Sequence, residues 1–544
     1  MTDHQAHRTL VAREVHEGWT LSIAGGSAPQ GAGVTAPSAA ALVGVPATVP
    51  GSVHTDLLAA GLIPDPYLDD NEALLGWVGR SDWEYRTTLT WTVEEAAAHE
   101  RHDLVFDGLD TVAEVRLNGR VLGSTVNMHR TYRFDVSSAL QVGGNDLVVR
   151  FASPVRYADR QSLALGYRPQ VNRHPFNAIR KMACSFGWDW GLDTTTSGIW
   201  RPVRLESWTA ARLSSVRVEA SVADGAVDGA PGRVRVQVEI ERNSAESAAV
   251  RVAVNVAGVE RVVEVASGAS SAIVDVVVPS VDLWWPRGYG DQPLHDVDVV
   301  LSSGLDLLGS ASRRVGFRAV RLEMEPDEHG TSFRFVVNDQ PVFVRGANWI
   351  PDDAFPHRVT RERYAARIAQ AERANINLLR VWGGGIYEAD DFYDLCDERG
   401  ILTWQDFLFA CAAYAEEETW CGSPTTPRSC CGTAATRTSG AIRTGTGRSA
   451  STGAPGASGT TPSCCRESWP SSTRRATTRR RAPGRGRSTC TRTTPRTDRC
   501  TRGSSGTGRT TRTTATSCRV SSPSSAGRAR PPGRRSRARS ATTP

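Results

Sequence analysis

Residues 343–407 read FVRGANWIPDDAFPHRVTRERYAARIAQAERANINLLRVWGGGIYEADDFYDLCDERGILTWQDF. FVRGANW, NLLRVW and ILTWQDF are short strand-like runs, and between them lie a helical stretch from Thr360 to Ala374 and the helix-like EADDFYDLCDERG. Thr360 is placed to N-cap the first helix, and Gly400 to end the second in a left-handed turn. The order strand, helix, strand, helix, strand predicts parallel pairing, because each helix carries the chain back to start the next strand on the same side. Polar and aromatic residues stand at the strand ends: Asn348, Trp349, Arg380, Trp382, Gln405 and Asp406. A (β/α)8 TIM barrel keeps its chemistry at those ends, and this stretch reads as three of its eight strands.

Upstream, from about residue 8 to 210, alternating runs such as TLTW, HDLVF, AEVRLNG and NDLVVRF are separated by Gly, Asn and Asp turns. That period of two predicts an antiparallel sandwich. From 211 to 315, SSVRVEASV, GRVRVQVEIE, AVRVAVNV and SAIVDVVV follow at the spacing of a small seven-strand immunoglobulin-like sandwich. The expected architecture is multidomain β plus α/β, divided at 1–210, 211–315, 316–418 and 419–544. With 40% hydrophobic and 22% charged residues the chain falls in the globular range, and no apolar run approaches the ~20 residues of a membrane span. The first residues lack a basic patch followed by an apolar core, so the expected address is cytoplasmic.

The net charge of +6 divides unevenly. Residues 419–544 carry 25 Arg and no Lys against only Glu467 and Asp498, so that segment is +23 and the first 418 residues are −17. Eight of the eleven cysteines also fall after residue 418, leaving Cys184, Cys396 and Cys411 before it, and no disulfide framework follows. Hydrophobic periodicity stops at Glu418, and a disordered, Arg-rich tail is expected beyond it. Such a tail reads also as a nucleic-acid arm, but it has no RGG or aromatic repeat, so no specific nucleic-acid partner is expected. Cys430-Cys431 and Cys464-Cys465 lack C-x-x-C partners, while His54 and His129 are isolated and read as core or surface histidines, so no metal is expected.

Six strings resemble the β-mannosidase branch of the family 2 glycoside hydrolases: LVFDGLDTVAEVRLNG (104–119), RKMACSFGWDWG (180–191), GIWRPVRLESW (198–208), FVRGANWIP (343–351), RVWGGGIYE (380–388) and WQDFLFACAAYAEEE (404–418). The resemblance implies a jelly-roll, galactose-binding-like first domain and retaining exo-hydrolysis of terminal non-reducing β-D-mannosides. The implied partner is a β-mannoside oligosaccharide or glycoside, with no cofactor and no membrane; the oligomeric state is left open. The same domain order fits β-galactosidases and β-glucuronidases. By resemblance, Asp189 with Trp188 beside it reaches the terminal sugar and Trp382 walls its subsite. Asp189 reads otherwise as a turn aspartate between packing tryptophans, and Trp382 as core. The three glycines after Trp382 favour the pocket, since they let backbone approach a ligand. Arg380 and Asp406 read equally as a supporting salt bridge or as sugar ligands, and Asn348 and Trp349 likewise.

Retaining hydrolysis needs two carboxylates about 5 to 5.5 Å apart. The tail as written offers almost none, but one displaced reading frame does. In it, Thr426 to Gly440 permit P-S-L-V-L-W-N-G-(S/G)-N-E-N-I-W, Gly459 to Cys465 permit Y-Y-x-E-L-L, and Arg519 to Gly527 permit R-F-V-(S/A)-E-F-G-W. The first and last resemble the family's acid/base and nucleophile motifs. A frameshift near residues 419 to 423 would thus remove both catalytic glutamates, leaving no catalytic residue in this frame. The rival readings are a non-catalytic carbohydrate-binding protein and a basic nucleic-acid-binding chain.

Overall fold

The structure is a computed structural model that describes residues 9–24, 36–243 and 248–415. Everything expected of 419–544, together with Glu416 to Glu418, lies outside the described residues.

The first sandwich sets a six-stranded antiparallel sheet against a four-stranded one. In the long strand Trp83–Trp91 every second residue is buried, so Trp83, Tyr85, Leu89 and Trp91 face inward, where they meet Leu104, Phe106, Val203 and Leu205 of the other sheet. The second sandwich pairs Ala211–Val222, Ala230–Arg242 and Ser271–Val281 in one sheet and packs them on four further strands between Val250 and Val315. Its core is mostly valine, the residue whose branched β-carbon suits a pleated, half-buried surface.

A short antiparallel sheet, Val320–Glu323, Arg334–Val337 and Gln340–Val342, leads into the βαβαβ segment. There Gly346–Trp349, Leu378–Val381 and Leu402–Gln405 pair in parallel, with helices Arg361–Arg373 and Asp390–Glu398 in the connections. The Thr360 hydroxyl accepts from the Arg363 amide at 3.4 Å, capping the first helix, and Gly400 takes φ +72° just past the second. Trp349, Tyr364, Ile368, Val381, Phe392 and Leu395 close the space between strands and helices. No described helix is long and apolar enough to cross a membrane.

The stretch that follows the first sandwich's strand Gly143–Phe151 is sewn to the parallel sheet by backbone and side-chain bonds. The Ala413 amide donates to the Pro169 carbonyl at 2.9 Å, Asn177 Nδ2 to Ala413 O at 2.7 Å, Arg180 Nη1 to Leu408 O at 2.9 Å, and the Cys184 amide to Gly384 O at 3.0 Å. Arg201 Nη2 adds a bond to Tyr387 O at 2.7 Å. Four of these five bonds satisfy carbonyls of the loops after the second and third parallel strands, and together they fix where a first-domain hairpin meets the strand ends.

Candidate functional site

Two groups of side chains meet at the strand ends. In the first, Asn348 and Arg380 are register partners on neighbouring parallel strands and therefore share a face. Arg380 Nη1 donates to Asn348 Oδ1 at 3.1 Å, while Nη2 and Nε donate to the Asp406 carboxylate at 2.7 and 3.3 Å. The Gly383 amide donates to the same carboxylate at 3.2 Å. Asn348, Arg380 and Asp406 thus form one polar clamp, with the arginine 37% and the aspartate 19% exposed, so that hydroxyls of a ligand can reach both.

The second group is aromatic. Trp382, just past the second parallel strand, meets Trp188 edge-on at 4.9 Å and Trp190 at 5.7 Å. Both partners come from the hairpin Phe186–Trp188 and Gly191–Asp193, whose two-residue turn is Asp189 and Trp190. The hairpin is held by His174 Nε2 and the Thr195 hydroxyl on the two oxygens of Asp193, at 3.2 and 2.8 Å, and by Asn172 Nδ2 on Gly187 O at 2.5 Å. These bonds, led by the one from His174, outweigh partial burial and hold the Asp193 carboxyl below its ordinary range. Asp189 is exposed at the tip and makes no hydrogen bond or ion pair among the described residues. The Gly383 amide on Asp406 joins the Trp382 loop to the polar clamp, so the two groups adjoin.

Two expectations are corrected. Trp349 does not face the clamp: it follows Asn348 on one strand, so its side chain points to the opposite side, where it is 9% exposed between Tyr364 and Phe392. Its indole donates to Glu388 Oε1 at 2.9 Å, and the Tyr364 hydroxyl to Oε2 at 2.6 Å. Burial pushes the Glu388 carboxyl up to about 7, only partly offset by those two bonds. The glycine run, expected to admit a ligand, is instead filled by protein. A Cβ at Gly383 would lie 2.5 Å from the Phe407 and Phe409 carbonyl oxygens, one at Gly384 1.9 Å from the Trp382 ring, and one at Gly385 2.7 Å from Pro351. Those glycines let Trp382 fold back over its own loop.

Trp190 was not among the expected site residues, although its spacing of two from Trp188 across a tight turn was the available signal. His54 is buried and His129 half-buried, and desolvation lowers His54 to about 3 and His129 well below its usual value. Among the described residues no three His, Cys, Asp or Glu side chains converge as a metal site.

A family model described as glycosyl hydrolase 2 galactose-binding domain-like matches residues 19–201, and another, glycosyl hydrolases family 2, matches 211–318. Together they take in more than half of the 544 residues. The chain belongs to glycosyl hydrolase family 2. Its galactose-binding-like domain contains the hairpin with Trp188, Asp189 and Trp190, while the polar clamp lies beyond both family 2 matches. The β-mannosidase of Bos taurus is 36% identical over 403 residues, covering 69% of this chain and 44% of that protein. β-Mannosidase B of Thermothelomyces thermophilus is 39% identical over 383 residues, covering 67% and 43%. A solved β-D-mannosidase from Dictyoglomus thermophilum superposes with a TM-score of 0.67 at 35% identity, covering 75% of this chain and 48% of that one. An exo-chitosanase from Amycolatopsis orientalis, at 22% identity and a TM-score of 0.57 over 74% of this chain and 44% of that one, shares the fold. The chain spans less than half the length of each of these relatives.

Proposed function

We propose that this chain is the sugar-holding part of a retaining exo-β-mannosidase, and that in its present reading frame it binds a terminal non-reducing β-mannoside without cleaving it. The observation that carries the reading is the meeting of the Trp188–Asp189 hairpin with Trp382 beside the Asn348–Arg380–Asp406 clamp. The similarity to the β-mannosidases of Bos taurus and Thermothelomyces thermophilus supports the choice of sugar. On this reading 1–210 is a jelly-roll, 211–315 an immunoglobulin-like sandwich, 316–418 the opening of a (β/α)8 barrel and 419–544 an out-of-frame tail.

Each residue type suits its task. The indoles of Trp382 and Trp188 offer apolar surface to the C–H face of a pyranose. The Asp189 carboxylate, unpaired at the hairpin tip, accepts from a pair of sugar hydroxyls. Arg380, fixed by Asp406 and Asn348, presents its remaining N–H groups in a set direction, so little ordering remains when the sugar arrives. Cleavage needs more, namely a carboxylic acid for the leaving oxygen and a carboxylate for the anomeric carbon. Among the described residues, Asp406 is engaged by Arg380 and Gly383, and Glu388 is buried on the far side of the sheet with Trp349. Neither of these two described carboxylates is free to attack or protonate, which supports a site that orients the sugar without breaking its bond.

Calorimetric titration of the 544-residue chain with methyl β-mannoside tests this. Binding is expected, with a preference over methyl β-galactoside, and Asp189→Ala is expected to weaken it about ten- to hundredfold, as loss of hydrogen bonds to a charged group does. An equal response to both sugars, or an Asp189→Ala variant binding like its parent, would remove the β-mannoside reading of this site.

A further inference from the structure

A lysine with no exposed side-chain surface stands at the base of the segment that carries the tryptophan hairpin. We infer that Lys181 is a positioning residue: with Asp110 and Thr196 it closes that base, and so sets how the hairpin Phe186–Asp193 stands against Trp382. The contact among the indoles needs no ligand, whereas the effect on sugar binding rests on the β-mannoside reading above.

Lys181 Nζ donates to both oxygens of Asp110, each at 2.5 Å, and to the Thr196 hydroxyl at 2.8 Å. The hydroxyl in turn donates to Asp110 Oδ2 at 2.7 Å. All three protons of the ammonium are thus used, and the hydroxyl both accepts and donates, so the triangle is closed on itself. The side chains of Lys181 and Asp110 are 0% and 4% exposed. A charge taken this far out of water persists only when paired and hydrogen-bonded, so neither partner can leave without stranding the other.

Lys181 and Thr196 lie 15 positions apart, and the hairpin lies between them. Its strands have three residues each and share two register pairs, too few to hold it in one orientation unaided. The bonds from Asn172 and His174 come from the stretch just ahead of it in the chain, and the Thr195 bond to Asp193 is local. Asp110 is different, because it belongs to the first sandwich, between the strands Arg101–Phe106 and Ala113–Leu117. Its amide donates to Gly198 O at 2.9 Å and its carbonyl accepts from the Gly198 amide at 3.1 Å. Lys181 therefore pins both ends of the segment to the body of the sandwich. At the far end the hairpin sets Trp188 4.9 Å and Trp190 5.7 Å from Trp382. Slack at the base displaces those indoles, since a site keeps its geometry only through the groups that support it.

The test combines circular dichroism of the tryptophan bands with titration by methyl β-mannoside, on the 544-residue chain and its variants, under conditions where urea unfolding shows each to be folded. The couplet of the three indoles is the part of the spectrum that Trp382→Phe removes. Thr196→Val keeps the ion pair and deletes the hydroxyl. Lys181→Met combined with Asp110→Asn deletes both charges at once, so that neither is left buried and unpaired. Both variants are expected to lose most of the couplet and to bind methyl β-mannoside about three- to tenfold more weakly, while Thr196→Ser, which keeps the hydroxyl, matches the parent. If the double variant does not fold, Thr196→Val alone decides. A residue that merely stabilised the fold would lower the urea midpoint and nothing else. A parental couplet in either folded variant, or parental affinity where the parent binds the sugar, would overturn the assignment. A couplet lost in the variants of a parent that binds no sugar would support the positioning role and refute the β-mannoside reading alone.

Discussion

At Glu388 a single carboxyl joins three elements, accepting from Trp349 at the end of one strand and from Tyr364 in the following helix while itself preceding the next helix. Its partners are 39 and 24 residues away, so nothing in local sequence marked the cluster. Trp349 was misplaced for a simpler reason: two adjacent residues of a strand cannot both face one side, and Asn348 already faced the clamp. Burial lifts the Glu388 carboxyl to about 7, above the ordinary 4.5. A raised folded-state pKa means stability fully present below about 4.5 and lost as pH rises through 7. Glu388→Gln keeps the shape without the charge, so it should match the parent near pH 4 and exceed it above pH 7.5 by up to roughly 3 kcal/mol in urea unfolding. His54 and His357, lowered by desolvation to about 3 and 4, act in the opposite sense, their contribution fading as pH falls below 6.5. Parent and variant must therefore be compared at each pH; a difference that stays constant from pH 4 to 8 would refute the buried-acid account. Gly384→Ala puts a Cβ into the Trp382 ring. The variant should lose about 1 to 3 kcal/mol, the usual cost of overpacking, and most of its sugar affinity. An unchanged melting curve with unchanged binding would mean that the ring is free to move.

Elements with a strong period were legible, and short ones were not. The valine alternation of the strand Ala230–Arg242 and the Thr360 cap announced themselves, because burial on one face and an unsatisfied helix end each demand a particular residue type. The hairpin Phe186–Asp193 has three-residue strands, too few for a period to show, and only its tryptophans drew notice. The antiparallel sheet between Val320 and Val342 went unread inside the stretch expected to supply parallel strands, since its runs are three or four residues long. Trp284 ties these pieces together. It lies after the strand Ser271–Val281, 1% exposed, with its indole donating to Asp397 O at 2.9 Å in the helix Asp390–Glu398 and its amide to Phe317 O at 2.8 Å. Asn338 Nδ2 donates to its carbonyl at 3.1 Å, and the Arg318 guanidinium lies 5.0 Å from its ring. Trp284→Ala removes the packing of a whole indole and should cost about 3 to 5 kcal/mol. Hydrogen exchange should then show the loss in that helix as well as at the edge of the second sandwich. Confinement of the change to the sandwich would show that the helix stands without it.

For the whole chain, the division of charge at residue 418, −17 before and +23 after, was visible in composition alone, and so was the disappearance of carboxylates from the second part. What composition could not give was the place where the proposed sugar-holding groups gather, because Asp189 and Trp382 are 193 positions apart and only folding brings the flanking Trp188 and Trp190 against Trp382. The two observations together predict a separation of binding from chemistry. The purified 544-residue chain should release no aryl group from an aryl β-mannoside above background, although it binds methyl β-mannoside. On the proposed frameshift, Arg437 and Ser524 stand nearest the glutamate codons, and they can neither donate a proton at neutral pH nor form a glycosyl ester. Moving the tail into the displaced frame, with any missing codons and C-terminal sequence supplied, should bring back hydrolysis with retention, seen as β-mannose released first in an NMR time course. Turnover by the unaltered chain would refute the frameshift account. Asp406 would then be the first carboxylate to replace, since it belongs to the clamp itself and its carboxylate is held by Arg380 and the Gly383 amide.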